Sequence, residues 1–243
     1  MTTSIDRRRF LGQAASIAAG ITIAPGVTLY GVAEAKPADQ PVTGEVRWGM
    51  LVDANSCADG CNDCVTACNE ENGLKSHGRP ETDAQWIRTV NLRDPKTGAK
   101  KSLPVMCQHC AEPPCVDVCP TGASFKREDG IVLVNKHTCI GCRYCMLACP
   151  YNARSFIHEN LTDQKPDVPR GKGTVESCTF CVHRVDEDRQ PACVVACSKT
   201  HKALTFGDMN DPQSNLSKAL TKYTSSRIRS DLGTDPSVRY RGL

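Results

Sequence analysis

Apolar positions along the chain come in short runs, and each run stops against a turn or a cysteine cluster. The run Val46-Arg47-Trp48-Gly49-Met50-Leu51-Val52-Asp53 predicts a strand. Ala123–Lys126 and Ile131–Asn135 flank a Glu-Asp-Gly turn at 128–130 and predict a β-hairpin. Ala153–His158 and Ala203–Gly207 predict two more strands. The recurring unit is strand, cysteine loop, short helix, strand, which makes an irregular, loop-rich α+β fold. Thirty-eight residues lie between Cys68 and Cys107, with a polar Lys-Thr-Gly turn at 96–98. The charged stretch His183–Arg189 reads as a solvated excursion. From Asp208 to Leu243 the chain is polar, which fits a flexible tail or an arm that orders on a partner surface equally well.

The one long apolar stretch is N-terminal. Asp6-Arg7-Arg8-Arg9-Phe10-Leu11-Gly12 precedes a small-residue run to Val32, and Ala33-Glu34-Ala35 supplies an A-x-A cut. This predicts a signal peptide of the twin-arginine type over 1–35, and therefore a periplasmic protein exported already folded. The rival is an uncleaved anchor, but the Gly, Ala, Ser, Thr and Pro content makes Leu11–Val32 weakly hydrophobic. Beyond Ala35 no run approaches eighteen apolar residues, so no membrane span is expected in the mature chain.

Composition sharpens the picture. Aromatics make up 5% and apolar residues 40% of 243 residues, a thin supply for an ordinary core, whereas cysteines number sixteen. The formal charge of +3 falls to +2 once the leader is removed. Were the cysteines metal-bound thiolates, the balance would turn negative. No basic run or aromatic-interleaved patch points to nucleic acid.

The cysteines form four quartets with none left over: Cys57, Cys61, Cys64, Cys68; Cys107, Cys110, Cys115, Cys119; Cys139, Cys142, Cys145, Cys149; and Cys178, Cys181, Cys193, Cys197. Each ends in a C-x3-C step, about one helical turn, which puts two thiolates on one helical face. The third quartet is the bacterial ferredoxin run C-x2-C-x2-C-x3-C-P, in which three cysteines hold one cubane and the fourth reaches its neighbour. Gly60 and Gly141 lie in binding loops, where a missing Cβ lets backbone N–H groups approach sulfur. Pro120 and Pro150 follow the last cysteine and stop a short helix.

Zinc knuckles match isolated pairs such as Cys107/Cys110, but not the triple spacing or the repeated C-x3-C. Cysteines three apart on one loop make poor disulfides. Cys57-x3-Cys61-x2-Cys64 matches the signature of radical enzymes using S-adenosylmethionine, against which Cys68 and the short chain count. No histidine replaces a cysteine, and no C-x-x-C-H occurs, so haem attachment has no support. His109 and His183 read as donors near the cysteines or as exposed residues. Tyr144, inside the third quartet, is expected to pack, against a cubane or simply against the protein.

The quartets, with CQHCAEPPCVDVCPTGASF and DGIVLVNKHTCIGCRYCMLACPYNARSF, resemble the four-cluster iron–sulfur subunits that accompany molybdopterin oxidoreductases and related membrane complexes, over about Trp48–Gly207. The resemblance implies two nested, duplicated bacterial-ferredoxin-like units: an outer one (46–75 with 174–207) and an inner one (103–160), within a domain spanning 36–207, followed by the arm 208–243. It also implies four [4Fe–4S] clusters. Cys57, Cys61, Cys64 and Cys197 hold one; Cys178, Cys181, Cys193 and Cys68 the next. Cys107, Cys110, Cys115 and Cys149 hold the third; Cys139, Cys142, Cys145 and Cys119 the fourth. Some relatives lack one cysteine and carry a [3Fe–4S] site, but all sixteen positions are filled here. The export signal, the C-x3-C opening of the first quartet and the ending DLGTDPSVRYRGL resemble periplasmic members from dissimilatory sulfur metabolism. That implies docking on an integral-membrane quinone-reactive subunit and a periplasmic multihaem cytochrome. No residue set points to a substrate pocket, so the expectation is an electron-transfer subunit and not an enzyme in its own right.

Overall fold

The run Trp48–Asp53 does not alternate polar with apolar, and the reason is its place in the sheet. In the computed structural model, which describes residues 41–243 and two short antiparallel strands before them (β1, Thr22–Ala24; β2, Val27–Thr28), this run is strand β3. β3 is central in a three-stranded sheet, antiparallel to β10 (Leu204–Asp208) and parallel to β11 (Val238–Arg241). A central strand covered on both faces carries a continuous apolar run. Met50, Val52, Val238 and Tyr240 are all fully buried. The leader expected at 1–35 lies outside the described residues apart from β1 and β2.

Short helices carry the cysteines. They are α1 (Asp63–Asn72), α2 (Pro114–Asp117), α3 (Tyr144–Ala148), α4 (Val182–Val185) and α5 (Ala192–Thr200). α1 packs along α5, and Thr200 Oγ1 donates to Asp63 at 2.9 Å. The core includes cysteines beside its aliphatic residues: Cys64, Cys68, Cys107, Cys110, Cys149, Cys178, Cys193 and Cys197 all pack in one cluster with Met50, Phe180 and Tyr240. This accounts for the thin apolar composition.

The hairpin expected at 123–135 is present as β6 (Ser124–Lys126) and β7 (Val132–Val134). Three other expectations need amending. The insertion after the first quartet holds more than the expected Lys-Thr-Gly turn: that turn closes a long hairpin, β4 (Ile87–Arg93) with β5 (Lys100–Met106). The strand at 153–158 is only β8 (Ser155–Phe156), paired with β9 (Val175–Glu176). Finally, residues 208–243 are ordered on the body. Helix α6 (Asn215–Lys222), capped by Ser214 Oγ accepting from Ser217 N–H at 3.0 Å, seats Leu216 against β10. Beyond it the chain returns as β11. Among the described residues no helix is long and apolar enough to cross a membrane. The elements are small mixed helices and strands in an α+β arrangement with no barrel.

Candidate iron–sulfur centres

In all four quartets, the residue immediately before the second cysteine lies in the left-handed region. These are Gly60 (φ 76°), His109 (φ 43°), Gly141 (φ 70°) and Phe180 (φ 54°). Glycine adopts this freely, whereas His109 and Phe180 hold it at a cost of about 1–3 kcal/mol each. The turn lets successive N–H groups face inward, as an anion or a sulfide needs. At Gly141 a side chain is excluded outright, because a Cβ would lie 2.2 Å from the Gly173 carbonyl oxygen. Gly60 has open space. So close packing, not approach to sulfur alone, demands glycine at 141.

All sixteen thiols are free, and they gather in four groups. Group I is Cys57, Cys61, Cys64 and Cys197. Burial pushes the Cys64 thiol up to about 12, and the charges of Cys197, Cys57 and Cys61 add to this. Group II is Cys68, Cys178, Cys181 and Cys193. Burial, then Cys178 and Cys181, drives Cys68 well above its ordinary value. Cys193 responds to burial, Cys181 and Cys68 in the same way. Group III is Cys107, Cys110, Cys115 and Cys149, where burial pushes Cys107 to about 12 and Cys110 to about 11, with Cys115 and Cys149 contributing to both. Group IV is Cys119, Cys139, Cys142 and Cys145, which line one small cleft with Gly141 and Val175.

The groups adjoin in that order. Cys193 of group II feels Cys64 of group I, Cys178 of group II feels Cys107 of group III, and Cys115 of group III feels Cys145 of group IV. All eight cysteines of groups II and III are buried. Cys57 and Cys61 at one end, and Cys119, Cys139 and Cys142 at the other, reach toward solvent.

Donors surround the sulfurs. Ala203 N–H donates to Cys197 Sγ (3.2 Å), Asn72 Nδ2 to Cys68 Sγ (3.5 Å) and Ser124 N–H to Cys119 Sγ (3.3 Å). Although burial opposes it, the N–H of Ser124 and the groups of Thr121 hold the Cys119 thiol below its ordinary range. Arg154 Nη2 donates to Cys115 Sγ at 3.1 Å and to Ser124 Oγ at 2.8 Å. His109 is fully buried, so the solvent-exposed alternative is excluded. Its ring stacks on Phe180 at 3.7 Å, and its Nδ1 accepts from Val132 N–H at 3.0 Å. Burial, reinforced by Arg154, lowers its pKa to about 3, so Nε2 carries the hydrogen of a neutral ring. His183 is half-buried and bonds Glu71 at 2.8 Å. The stretch 183–189 is thus anchored, with Asp186 bound to Arg127 at 2.7 Å, and is not wholly a solvated excursion. Tyr144 points outward, 58% exposed, contrary to the packing expected of it.

The C-terminal arm belongs to the site as well. Ser237 N–H donates to the Gln108 carbonyl and Ala111 N–H to that of Asp235, clasping the Cys107–Cys110 loop. Thr234 Oγ1 bonds Tyr151 OH at 2.6 Å beside Cys110. Sequence reasoning missed Thr234, Arg154 and His201, whose ring nitrogen lies within 4.8 Å of Cys61 Sγ and an Asp63 oxygen.

His109 Nε2 and Arg154 Nε and Nη1 are buried with no acceptor. Buried donors are almost always bonded. Orphans beside sixteen thiols fit a cofactor that brings its own acceptors, as the sulfides of a [4Fe–4S] cluster do and a bare zinc ion does not. In group I, Cys197 supplies a fourth thiol where S-adenosylmethionine chemistry needs an open iron.

A family model described as a 4Fe-4S dicluster domain matches residues 99–209, which contain the last three quartets. The Hdr-like menaquinol oxidoreductase iron-sulfur subunit 1 of Archaeoglobus fulgidus is 41% identical, over 98% of this chain and 98% of its own. A tetrathionate reductase subunit of Salmonella typhimurium is 37% identical, over 98% and 88%. The menaquinone reductase iron-sulfur cluster-binding subunit of Nitratidesulfovibrio vulgaris is 34% identical, over 81% and 89%. The thiol groups, their donors and these likenesses converge: the chain belongs to the family of [4Fe–4S]-binding iron–sulfur subunits of oxidoreductase complexes.

Proposed function

We propose that the chain holds four [4Fe–4S] clusters, one in each cysteine group, and relays electrons along the row from I to IV. The carrying observation is the row itself: four adjoining sets of four thiols, dry in the middle and open at both ends. Each cluster, when bound, takes up and gives back one electron. The chain's residues hold it by four thiolates, exclude water from the middle sites and donate N–H groups to sulfur. The left-handed residue before the second cysteine, recurring in all four quartets, supports two nested ferredoxin-like units, I with II and III with IV. We read no substrate site of the chain's own.

Partners are read from the ends. Around group IV, Ile140, Tyr144 and Leu147 are exposed at 67%, 58% and 84%, an apolar rim suited to an integral-membrane quinone-reactive subunit. Group I, at the other end, would face a periplasmic multihaem cytochrome or another redox subunit. The twin-arginine leader supports a periplasmic location. Together with the chain ending, it supports a part in dissimilatory sulfur metabolism like that of DsrO in the DsrMKJOP complex. The likeness to the tetrathionate reductase subunit favours a second reading, the iron–sulfur subunit of another exported oxidoreductase.

Anaerobic purification of the mature chain, with iron, sulfide and zinc analysis, tests the central claim. About sixteen irons per chain are expected from four cubanes. Eight irons, or zinc without iron, would sink it. Subunits co-purified from the native host separate the two partner readings.

A further inference from the structure

Arg154 is the buried cation at the junction of groups III and IV. Its side chain is 6% exposed, and among the described residues it forms no ion pair. Nη2 touches Cys115 of group III, and the charges of Cys115, Cys107 and Cys145 all act on the guanidinium, the last from group IV. Ser124 links it onward: its Oγ accepts from Arg154 while its N–H donates to Cys119 of group IV. Nε and Nη1 remain buried with no protein acceptor.

The outer pair is arranged differently. Arg184 lies within reach of Cys181 of group II, but so does Glu71, whose effect on that thiol is opposite. Glu71 accepts from Arg184 Nη1 at 3.0 Å and from His183 at 2.8 Å. The cation at group II is therefore neutralised by its own carboxylate. Lys136 near Cys139 is faced by Glu176, a carboxylate it shares with Arg170. Of these cations Arg154 is the one that bonds a cysteine sulfur directly and forms no ion pair among the described residues.

We propose that Arg154 is a positioning residue that sets a step in reduction potential along the row, holding centres III and IV above I and II. A reduced cluster carries one more negative charge than an oxidised one. An unpaired cation in a low-dielectric site favours the reduced form, and its N–H groups on sulfur act in the same direction. Electrons arriving at the outer pair would then collect on the inner pair. No bond breaks and no proton moves: one centre loses an electron and the next gains it.

The inference rests on the four-cluster reading, and potentiometry of the anaerobic holoprotein, followed by electron paramagnetic resonance, tests the two separately. A wild-type chain without four reducible centres defeats the four-cluster reading. Given four, Arg154→Gln is expected to lower the midpoints of two of them. At a fixed poise their reduced fraction should change by about tenfold, roughly 59 mV for one electron. Cys142→Ser should perturb one of the same two signals, which assigns the pair. Arg154→Lys should restore most of the shift, because the charge returns without the planar fork. Unchanged midpoints in Arg154→Gln, an equal shift of all four, or no rescue by lysine overturns the proposal. Should the glutamine variant not load iron, Glu71→Gln decides. Freeing the charge of Arg184 is expected to raise a lower-potential centre and narrow the spread; an unchanged spread overturns the proposal.

Discussion

Strand β9 runs directly into the Cys178 loop, and a buried ion pair fixes it. Arg170 Nε and Nη2 form two parallel bonds to Glu176 at 2.9 and 2.7 Å, with side-chain exposures of 7% and 0%. Arg170 Nη1 also donates to the Gly73 carbonyl at the end of α1, at 2.8 Å. Arg170→Met strands a carboxylate with no access to water, at a cost of about 3–5 kcal/mol. Lys136 faces the same carboxylate and pulls the figure to the lower part of that range. Replacing both partners, as Arg170→Met with Glu176→Leu, removes the stranded charge. It loses the bond to Gly73, about 1 kcal/mol, and the carboxylate that faced Lys136, about as much again, so the double variant should lie within about 2 kcal/mol of wild type. Because cluster loss makes unfolding irreversible, the readout is the rate of visible bleaching in guanidinium with an iron chelator. The single variant should bleach roughly 10²- to 10³-fold faster, the double variant far less so. If the double variant bleaches as fast as the single, the cost lies in lost packing and not in the stranded charge, and the reasoning fails.

Other positions give contrasting signs. At His109 the usual order of glycine and alanine should invert. Both substitutions lose the Phe180 stack and leave Val132 N–H unbonded, about 3 kcal/mol together, but glycine relieves the left-handed strain and should retain iron about tenfold longer than alanine under the same chelator. Gly141→Ala should strip iron from one centre, since its Cβ meets the Gly173 carbonyl, whereas Gly60→Ala should cost only about 1 kcal/mol and keep full iron content. Leu147→Ser should leave thermal stability within about 0.5 kcal/mol of wild type, yet weaken binding to the membrane partner at least tenfold by titration; unaltered binding removes group IV as the docking end.

What the sequence conveyed, it conveyed through strong local signals. The ferredoxin spacing, the C-x3-C helices and the Glu-Asp-Gly hairpin are each encoded within a dozen residues, and they appear where expected. Signals that depend on distant contacts were weaker. Pro104 in β5 demotes that run as a strand, and it is tolerated because β4 and β5 form an isolated two-stranded sheet. The tail reads as polar because three residues anchor it, Leu216, Val238 and Tyr240, all fully buried. Arg154 follows Cys149 by five positions in a segment that predicts a strand, and nothing local says that its charge is buried. A basic residue inside an apolar run beside a quartet was the one available hint. His109 and Phe180 occupy a slot filled by glycine in the other two quartets, so the shared turn was invisible until their backbone angles were known.

The sheet's connectivity also constrains the order of assembly. β3, the first strand of the described body, lies between the last two, and its pairings close very long loops: the Arg47–Asp208 bond spans 161 positions and the Arg241–Asp53 bond 188. Such closure is entropically costly and slow compared with local contacts. Groups III and IV draw every cysteine from the stretch Cys107–Cys149, whereas groups I and II need both ends of the chain at once. The inner sites can therefore form while the C-terminus is still being made, and the outer sites only afterwards. The arm clasps the Cys107–Cys110 loop from outside, through Ser237 N–H on the Gln108 carbonyl and Thr234 Oγ1 on Tyr151, so it closes over thiols that the inner stretch has already gathered. Burial of all eight thiols of groups II and III leaves those two sites little room to take up iron and sulfide after folding.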